Sequence, residues 1–142
     1  MANSYQGRCF CGAVEFEITG DPTVAGFCHC SDCTEWAAAP ISAFTMFPPG
    51  SVRVTKGEDN VVTFNKTENS FRKFCKTCGG HVFTDLPVFG LEEIYPGVVP
   101  DLVHEPTVHL FYASKTVAVN DGLPKFKDLP ADFGGSGDML PE

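Results

Sequence analysis

Gly7-Arg8-Cys9-Phe10-Cys11-Gly12-Ala13-Val14-Glu15-Phe16-Glu17-Ile18-Thr19 joins a pair of thiols to a strand. Cysteines two apart in an extended segment project to the same face, so both can reach one ion. Gly12 lets the backbone turn away. Val14, Phe16 and Ile18 then alternate with acidic residues, the pattern of a half-buried strand, and Gly20-Asp21-Pro22 ends it. A second pair stands in Cys75-Lys76-Thr77-Cys78-Gly79-Gly80, where C-x-x-C followed by glycine makes a tight metal-binding turn. Cys9, Cys11, Cys75 and Cys78 form a complete tetrahedral set for one Zn²⁺, and that ion staples the first strand to the middle of the sheet. A redox-active dithiol is the alternative use of C-x-x-C.

The other three of the seven cysteines lie in Cys28-His29-Cys30-Ser31-Asp32-Cys33. Three thiolates bind a soft ion from three sides, and no fourth thiol is near in sequence. A zinc with three protein ligands and an open position is the arrangement used for chemistry. The alternatives are a closed site completed by a distant His or Asp, and an empty one. His29, between two ligands, points away from the metal in extended geometry. His81, His104 and His109 can each approach the loop only through the fold. Asp32 and Glu35 are candidate bases beside it, Trp36 reads as packing, and Arg72 and Lys73 are candidate contacts for an anionic substrate.

Outward from these motifs the chain reads as short strands. Val24–Phe27 feeds the three-thiol loop. Ser31 or Asp32 caps a brief helix through Thr34–Ala39, stopped before Pro40. Ile41–Phe47 is a strand. Val52–Lys56 and Val61–Phe64 form a hairpin around Gly57-Glu58-Asp59-Asn60. Ser70–Phe74 leads into the second cysteine pair, and His81–Thr84 returns from it. The span Asp85–Pro106 resists assignment. Val108–Tyr112 and Thr116–Val119 are late strands, and from Asp121 onward the chain reads as loop or partly disordered. With 11 Pro and 14 Gly in 142 residues, the expectation is one mostly β domain with one short helix.

The formal net charge of −8 disfavours nucleic acid and anionic membranes as partners. No apolar run approaches the length of a membrane span, and the first residues lack the basic start of a signal peptide. An odd cysteine count with chelate spacings suits metal in a reducing, cytoplasmic compartment better than disulfides.

Four segments together resemble the glutathione-dependent formaldehyde-activating enzyme family, which includes centromere protein V. They are Gly7-x-Cys9-x-Cys11-Gly12-x-Val14-x-Phe16, Cys28-His29-Cys30-Ser31-Asp32-Cys33, Arg72-x-Phe74-Cys75-x-x-Cys78-Gly79 and Asp121-Gly122-Leu123-Pro124-Lys125-Phe126. The resemblance runs from about residue 5 to about 130, giving one zinc-binding domain over 1–130 and a C-terminal tail over 131–142. It implies a β-tent fold of antiparallel sheets. It implies a structural zinc on Cys9, Cys11, Cys75 and Cys78, and a catalytic zinc on Cys28, Cys30 and Cys33. The implied activity is that of a carbon–sulfur lyase acting on a thiol–aldehyde adduct such as S-(hydroxymethyl)glutathione, with a small thiol as substrate. Family members commonly carry basic residues just after the third loop cysteine and a glycine soon afterwards; here those places hold Thr34, Glu35 and Ala38. The competing expectation is a non-catalytic, zinc-stabilised binding module.

Overall fold

The computed structural model describes residues 3–142, and these form ten strands in two sheets with a single α-helix. In chain order they are β1 (Ser4–Arg8), β2 (Glu15–Thr19), β3 (Val24–Cys28), α1 (Ser31–Ala37), β4 (Ser42–Phe47), β5 (Val52–Lys56), β6 (Val61–Phe64), β7 (Phe71–Cys75), β8 (His81–Leu86), β9 (Leu91–Ile94) and β10 (His109–Leu110). The chain divides into two compact units, one from the stretches up to Thr23 and Thr45–Val103, the other from Val24–Phe44 and His104–Glu142.

In the first unit β2 lies between β1 and β5, antiparallel to both. The alternation in β2 does what its sequence requires: Val14, Phe16 and Ile18 are fully buried, while Glu17 meets Arg53 at 3.2 Å and Glu15 meets Lys56 at 3.1 Å on β5. The ring of Phe16 lies across Gly7 on β1, in space that any Cβ there would fill. The second set of strands runs β9-β8-β7-β6, each antiparallel to the next, with Thr45–Phe47 of β4 paired to β9. The apolar core holds Phe16, Ile18, Phe47, Val82, Ile94 and Val99 together with Cys9 and Cys75.

The expected hairpin over residues 52–64 does not form. β5 pairs with β2 and β6 pairs with β7, so the connection carries the chain from one sheet to the other. Gly57 is the cause. It adopts φ 75° and opens a 3₁₀ turn over Glu58–Asn60, and a Cβ there would strike the Ala13 carbonyl. Strand β9 falls inside the span that the sequence left unassigned.

In the second unit β3 pairs with β10 in parallel, Phe27 opposite His109 and Cys28 opposite Leu110. The late strands are shorter than expected. Phe111 takes a left-handed conformation (φ 53°) and starts a 3₁₀ turn over Tyr112–Ser114, which ends pairing after Leu110. Thr116–Val119 is not a strand, because the Val119 N–H is taken by the Tyr112 hydroxyl at 2.8 Å instead of by a neighbouring strand. Residues 131–142 are tied back by backbone bonds, Lys127 N–H to Asp138 O and Leu140 N–H to Lys125 O, both 2.8 Å. Helix α1 ends on Ala38 at φ 52°, the left-handed conformation that glycine adopts most readily. No helix among the described residues is long and apolar enough to cross a membrane.

Candidate metal centres

All seven cysteines are free thiols, and they gather into two groups. The first comprises Cys9, Cys11, Cys75 and Cys78, whose sulfurs all lie within 4.8 Å of one another. Two of the separations, Cys9–Cys11 and Cys11–Cys75, are 3.8 Å. A tetrahedron with metal–sulfur bonds of ~2.3 Å has edges of ~3.8 Å, so the four sulfurs already hold the shape of a coordination sphere. The first pair sits on a turn, not in the extended segment expected: the Gly12 N–H bonds the Cys9 carbonyl at 3.1 Å and folds the loop. Folding also aims N–H groups at sulfur, Val14 N–H to Cys9 Sγ at 3.3 Å and Ala13 N–H to Cys11 Sγ at 3.5 Å. The second pair is built likewise. Cys75 ends β7, the Gly80 N–H reaches Cys78 Sγ at 3.3 Å, and the Asn60 amide donates to Cys75 Sγ at 3.1 Å.

These donors divide the four thiols. Burial opposes ionisation of Cys75, but the N–H groups of Cys78 and Thr77 outweigh it and bring the thiol down to about 6. Cys78 is also lowered, against burial, by the N–H groups of Gly80 and Cys11. The Ala13 N–H favours a Cys11 thiolate, yet lost hydration and the thiols of Cys78, Cys75 and Cys9 push Cys11 up to about 11. Negative charges this close cannot all form alone, and a divalent cation removes the conflict. The donor set therefore fits a soft tetrahedral ion.

The second group is Cys28, Cys30 and Cys33, again with all sulfurs within 4.8 Å. Cys28 closes β3 and is buried. Cys30 is the N-cap of α1, in place of the expected Ser31 or Asp32, and its sulfur accepts the Cys33 N–H at 3.3 Å. Cys33 follows in the first turn of the helix. The Cys28 thiol donates to Cys30 Sγ at 3.4 Å; that bond to Cys30, together with burial, pushes the Cys28 thiol well above the usual range. Three thiols fit the same class of ion, from three sides.

No histidine or carboxylate joins these three sulfurs among the described residues. His104 Nε2 instead donates between the carbonyls of Gly26 and Phe44, at 3.1 Å to each, and so ties β3 to β4 within the second unit. His81 lies in the first unit with its ring 4.9 Å from that of Tyr95. Glu35 is exposed and Asp32 and Trp36 half-buried on α1. In the first unit Arg72 is buried, and Lys73 bonds the Thr63 hydroxyl at 3.0 Å beneath the Phe83 ring.

His29 and His109 reveal what the sequence reading missed. His29 Nε2 and His109 Nδ1 are 2.8 Å apart, and both rings are fully buried. His109 Nε2 in turn reaches Asp121 Oδ2 at 2.7 Å. The other Asp121 oxygen accepts from the Lys125 ammonium at 2.6 Å and from the Leu123 N–H at 3.0 Å. Lys125 Nζ continues to Glu142 at 3.0 Å, and the Gly122 N–H binds the same Glu142 oxygen at 2.9 Å. Burial opposes the charge on Asp121, but the bonds from Lys125 and His109 hold its carboxyl well below the usual range. Burial also opposes the Lys125 ammonium, and the two carboxylates more than compensate, raising it. Burial, then the nearby His109, brings His29 down to about 4, so its ring is neutral at pH 7. The sequence signal for this chain is the Asp121–Phe126 segment, which carries both Asp121 and Lys125.

A family profile described as glutathione-dependent formaldehyde-activating enzyme matches residues 4–114. Two curated fungal proteins bear that enzyme name provisionally. The one from Podospora anserina is 29% identical over 94 residues, covering 62% of this chain and 44% of that protein. The one from Penicillium rubens is 30% identical over 94 residues, covering 62% and 49%. The chain thus spans about half the length of these relatives. A crystal structure of a Rhodobacter sphaeroides protein shares the fold, with a TM-score of 0.57 at 22% identity over 69% of this chain and 90% of that one. With two thiol clusters in its fold and a profile match across most of its length, the chain belongs to the glutathione-dependent formaldehyde-activating enzyme family.

Proposed function

We propose that this chain is a zinc-dependent enzyme of carbon–sulfur lyase type that interconverts a small thiol plus formaldehyde with the S-hydroxymethyl adduct, glutathione being the thiol named by the family. In this reading Cys9, Cys11, Cys75 and Cys78 hold a structural zinc, and Cys28, Cys30 and Cys33 hold a catalytic one. Zinc held by these three thiolates would supply a Lewis-acid position that favours the thiolate form of a substrate thiol. The chain's own residues do the rest. The Cys33 N–H steadies the Cys30 thiolate, and the closing turn of β3 into α1 fixes the three sulfurs. In the balanced reaction the thiol sulfur forms a bond to the carbonyl carbon, the π pair moves to oxygen, and the thiol proton ends on that oxygen.

The observation that carries this reading is the absence, among the described residues, of any fourth His, Asp, Glu or Cys beside Cys28, Cys30 and Cys33. Thr34 and Glu35 stand where relatives commonly carry cations, so the thiol is held with less help for its carboxylates. The free thiols suit a reducing compartment, and we place the protein in the cytoplasm. Cobalt substitution tests the reading. Millimolar glutathione, and an uncharged thiol such as 2-mercaptoethanol, should change the visible spectrum of the three-thiol site and form the adduct with formaldehyde. An unchanged spectrum leaves a zinc-stabilised binding module.

A further inference from the structure

Residues 121–142 lie beyond the stretch matched by the family profile and belong to the second unit. Within that unit, strand-like pairing continues past β10. The His109 N–H bonds the Pro124 carbonyl and the Phe126 N–H bonds the His109 carbonyl, both at 2.9 Å. The other edge of the same stretch is covered by residues 138–140, with Phe126 opposite Met139 in an antiparallel bridge. The Lys127 N–H bonds the Asp138 carbonyl there, and the Leu140 N–H bonds the Lys125 carbonyl. Three residues after Met139, Glu142 brings a carboxylate oxygen to the Gly122 N–H at 2.9 Å and to Lys125 Nζ at 3.0 Å.

Two observations set the covering segment apart from what it covers. The Lys125 side chain is 1% exposed, and the three protons of its ammonium meet three acceptors: Asp121 Oδ1 at 2.6 Å, the Leu123 carbonyl at 2.9 Å and Glu142. Without Glu142, one of those protons and the Gly122 N–H lose their acceptor, so the socket calls for a carboxylate. The segment that supplies it has no such anchorage. None of residues 126–142 is buried, and Met139 is 62% exposed. A segment held by hydrogen bonds with little buried apolar contact opens at low free-energy cost. What it uncovers is an unpaired strand edge beside a cationic socket, and strand addition with carboxylate capture is a general mode of peptide recognition.

We propose that residues 122–127 form a docking edge for an acidic peptide strand, which this chain fills with its own residues 138–142. The Lys127 N–H and the Lys125 carbonyl pair with the backbone of any extended segment. Lys125 Nζ and the Gly122 N–H select one with a carboxylate side chain three residues after the position facing Phe126. The site is separate from the proposed chemistry of the thiol clusters.

The test uses the zinc-loaded, ¹⁵N-labelled full chain. In Leu140→Pro combined with Glu142→Ala, the segment loses a pairing N–H and its carboxylate. The probe is the peptide Gly-Asp-Met-Leu-Pro-Glu, acetylated and amidated so that the glutamate side chain stands in for Glu142. At millimolar concentration it should shift the Gly122 and Lys127 amide resonances of the double variant saturably. The same peptide ending in Gln should bind about tenfold more weakly, as expected for loss of one charged hydrogen-bonding group. No saturable shift, or equal binding of the two peptides, overturns the proposal. Acetate moving Gly122 as far as the peptide does, with Lys127 unmoved in both, leaves an anion socket without a strand groove and overturns it too. Hydrogen exchange on the wild type decides the matter if the variant does not fold. The Gly122, Lys127 and Leu140 amides should exchange together and at least tenfold faster than that of Phe126; exchange no faster than Phe126 makes the segment a fixed part of the fold and overturns the proposal.

Discussion

The four-thiol and three-thiol clusters use the same atom and nearly the same spacing, yet they are supported differently. Around Cys9, Cys11, Cys75 and Cys78 the supports are backbone N–H groups from the loops that carry the ligands and the side-chain amide of Asn60 from the turn between β5 and β6. Two of the sulfurs belong to the apolar core. Around Cys28, Cys30 and Cys33 the N–H groups of Cys30 and Cys33 play that part, and the residue between the first two ligands is anchored to a chain of charges from the far C-terminal segment. On the function proposed above, the cluster embedded in a core is the one that stays closed, and the cluster with a separately braced neighbour is the one with a position open.

The largest expected effect tests the closed cluster. Cys78→Ala should leave protein that is unfolded or insoluble, because a structural zinc contributes apparent folding energy of about 10–16 kcal/mol in small peptides; circular dichroism and metal content read this directly. Cys30→Ala should instead keep the fold, lower the zinc content from two ions to one and abolish adduct formation. Compared in metal-free protein, its stability cost is the lost cap, about 1 kcal/mol, read by urea titration. If both substitutions behave alike, the two clusters do not differ in kind.

The brace comes next. Lys125→Ala leaves Asp121 and Glu142 facing each other across a buried gap. Removing one partner of a fully buried pair costs about 3–5 kcal/mol, and since these carboxylates are partly exposed about 2 kcal/mol is expected. The sign of its pH dependence follows from the shifts. Asp121 is depressed in the folded state, so its contribution is present above the unfolded value of ~3.9 and lost as pH falls below it. Lys125 is raised, so its share is present below ~10.4 and lost as pH rises through the folded value. The stability difference between wild type and Lys125→Ala should therefore be flat from about pH 5 to 9 and shrink at both ends.

The smallest expected effect is a gain. Ala38→Gly relieves a left-handed cap just beyond the three-thiol loop and should raise stability by about 0.5–1 kcal/mol in thermal melts.

How much of this was legible in the sequence depended on range. The division of seven cysteines into four and three needs only local spacing, and Val14, Phe16 and Ile18 announce their strand by alternation. Pairing partners did not follow from pattern. Val52–Lys56 and Val61–Phe64 look like two arms of a hairpin, and only the close approach of Gly57 to Ala13 shows why they part. The N-cap of α1 was hidden because sulfur is an unusual acceptor for that role. The chain from His29 to Glu142 was out of reach for a simpler reason. It exists only because β10 aligns His109 with Phe27, and no periodicity connects residues so far apart.

The parallel β3–β10 pairing also sets an order of assembly. On the ribosome all four sulfurs of the closed cluster have been made once residue 78 is added. The three-thiol cluster is synthesised earlier, by residue 33, but the imidazole and carboxylate bonded in series to His29 arrive only with residues 109 and 121. A nascent chain therefore holds every thiol of the four-cysteine cluster before the hydrogen-bond chain behind the three-thiol loop can form.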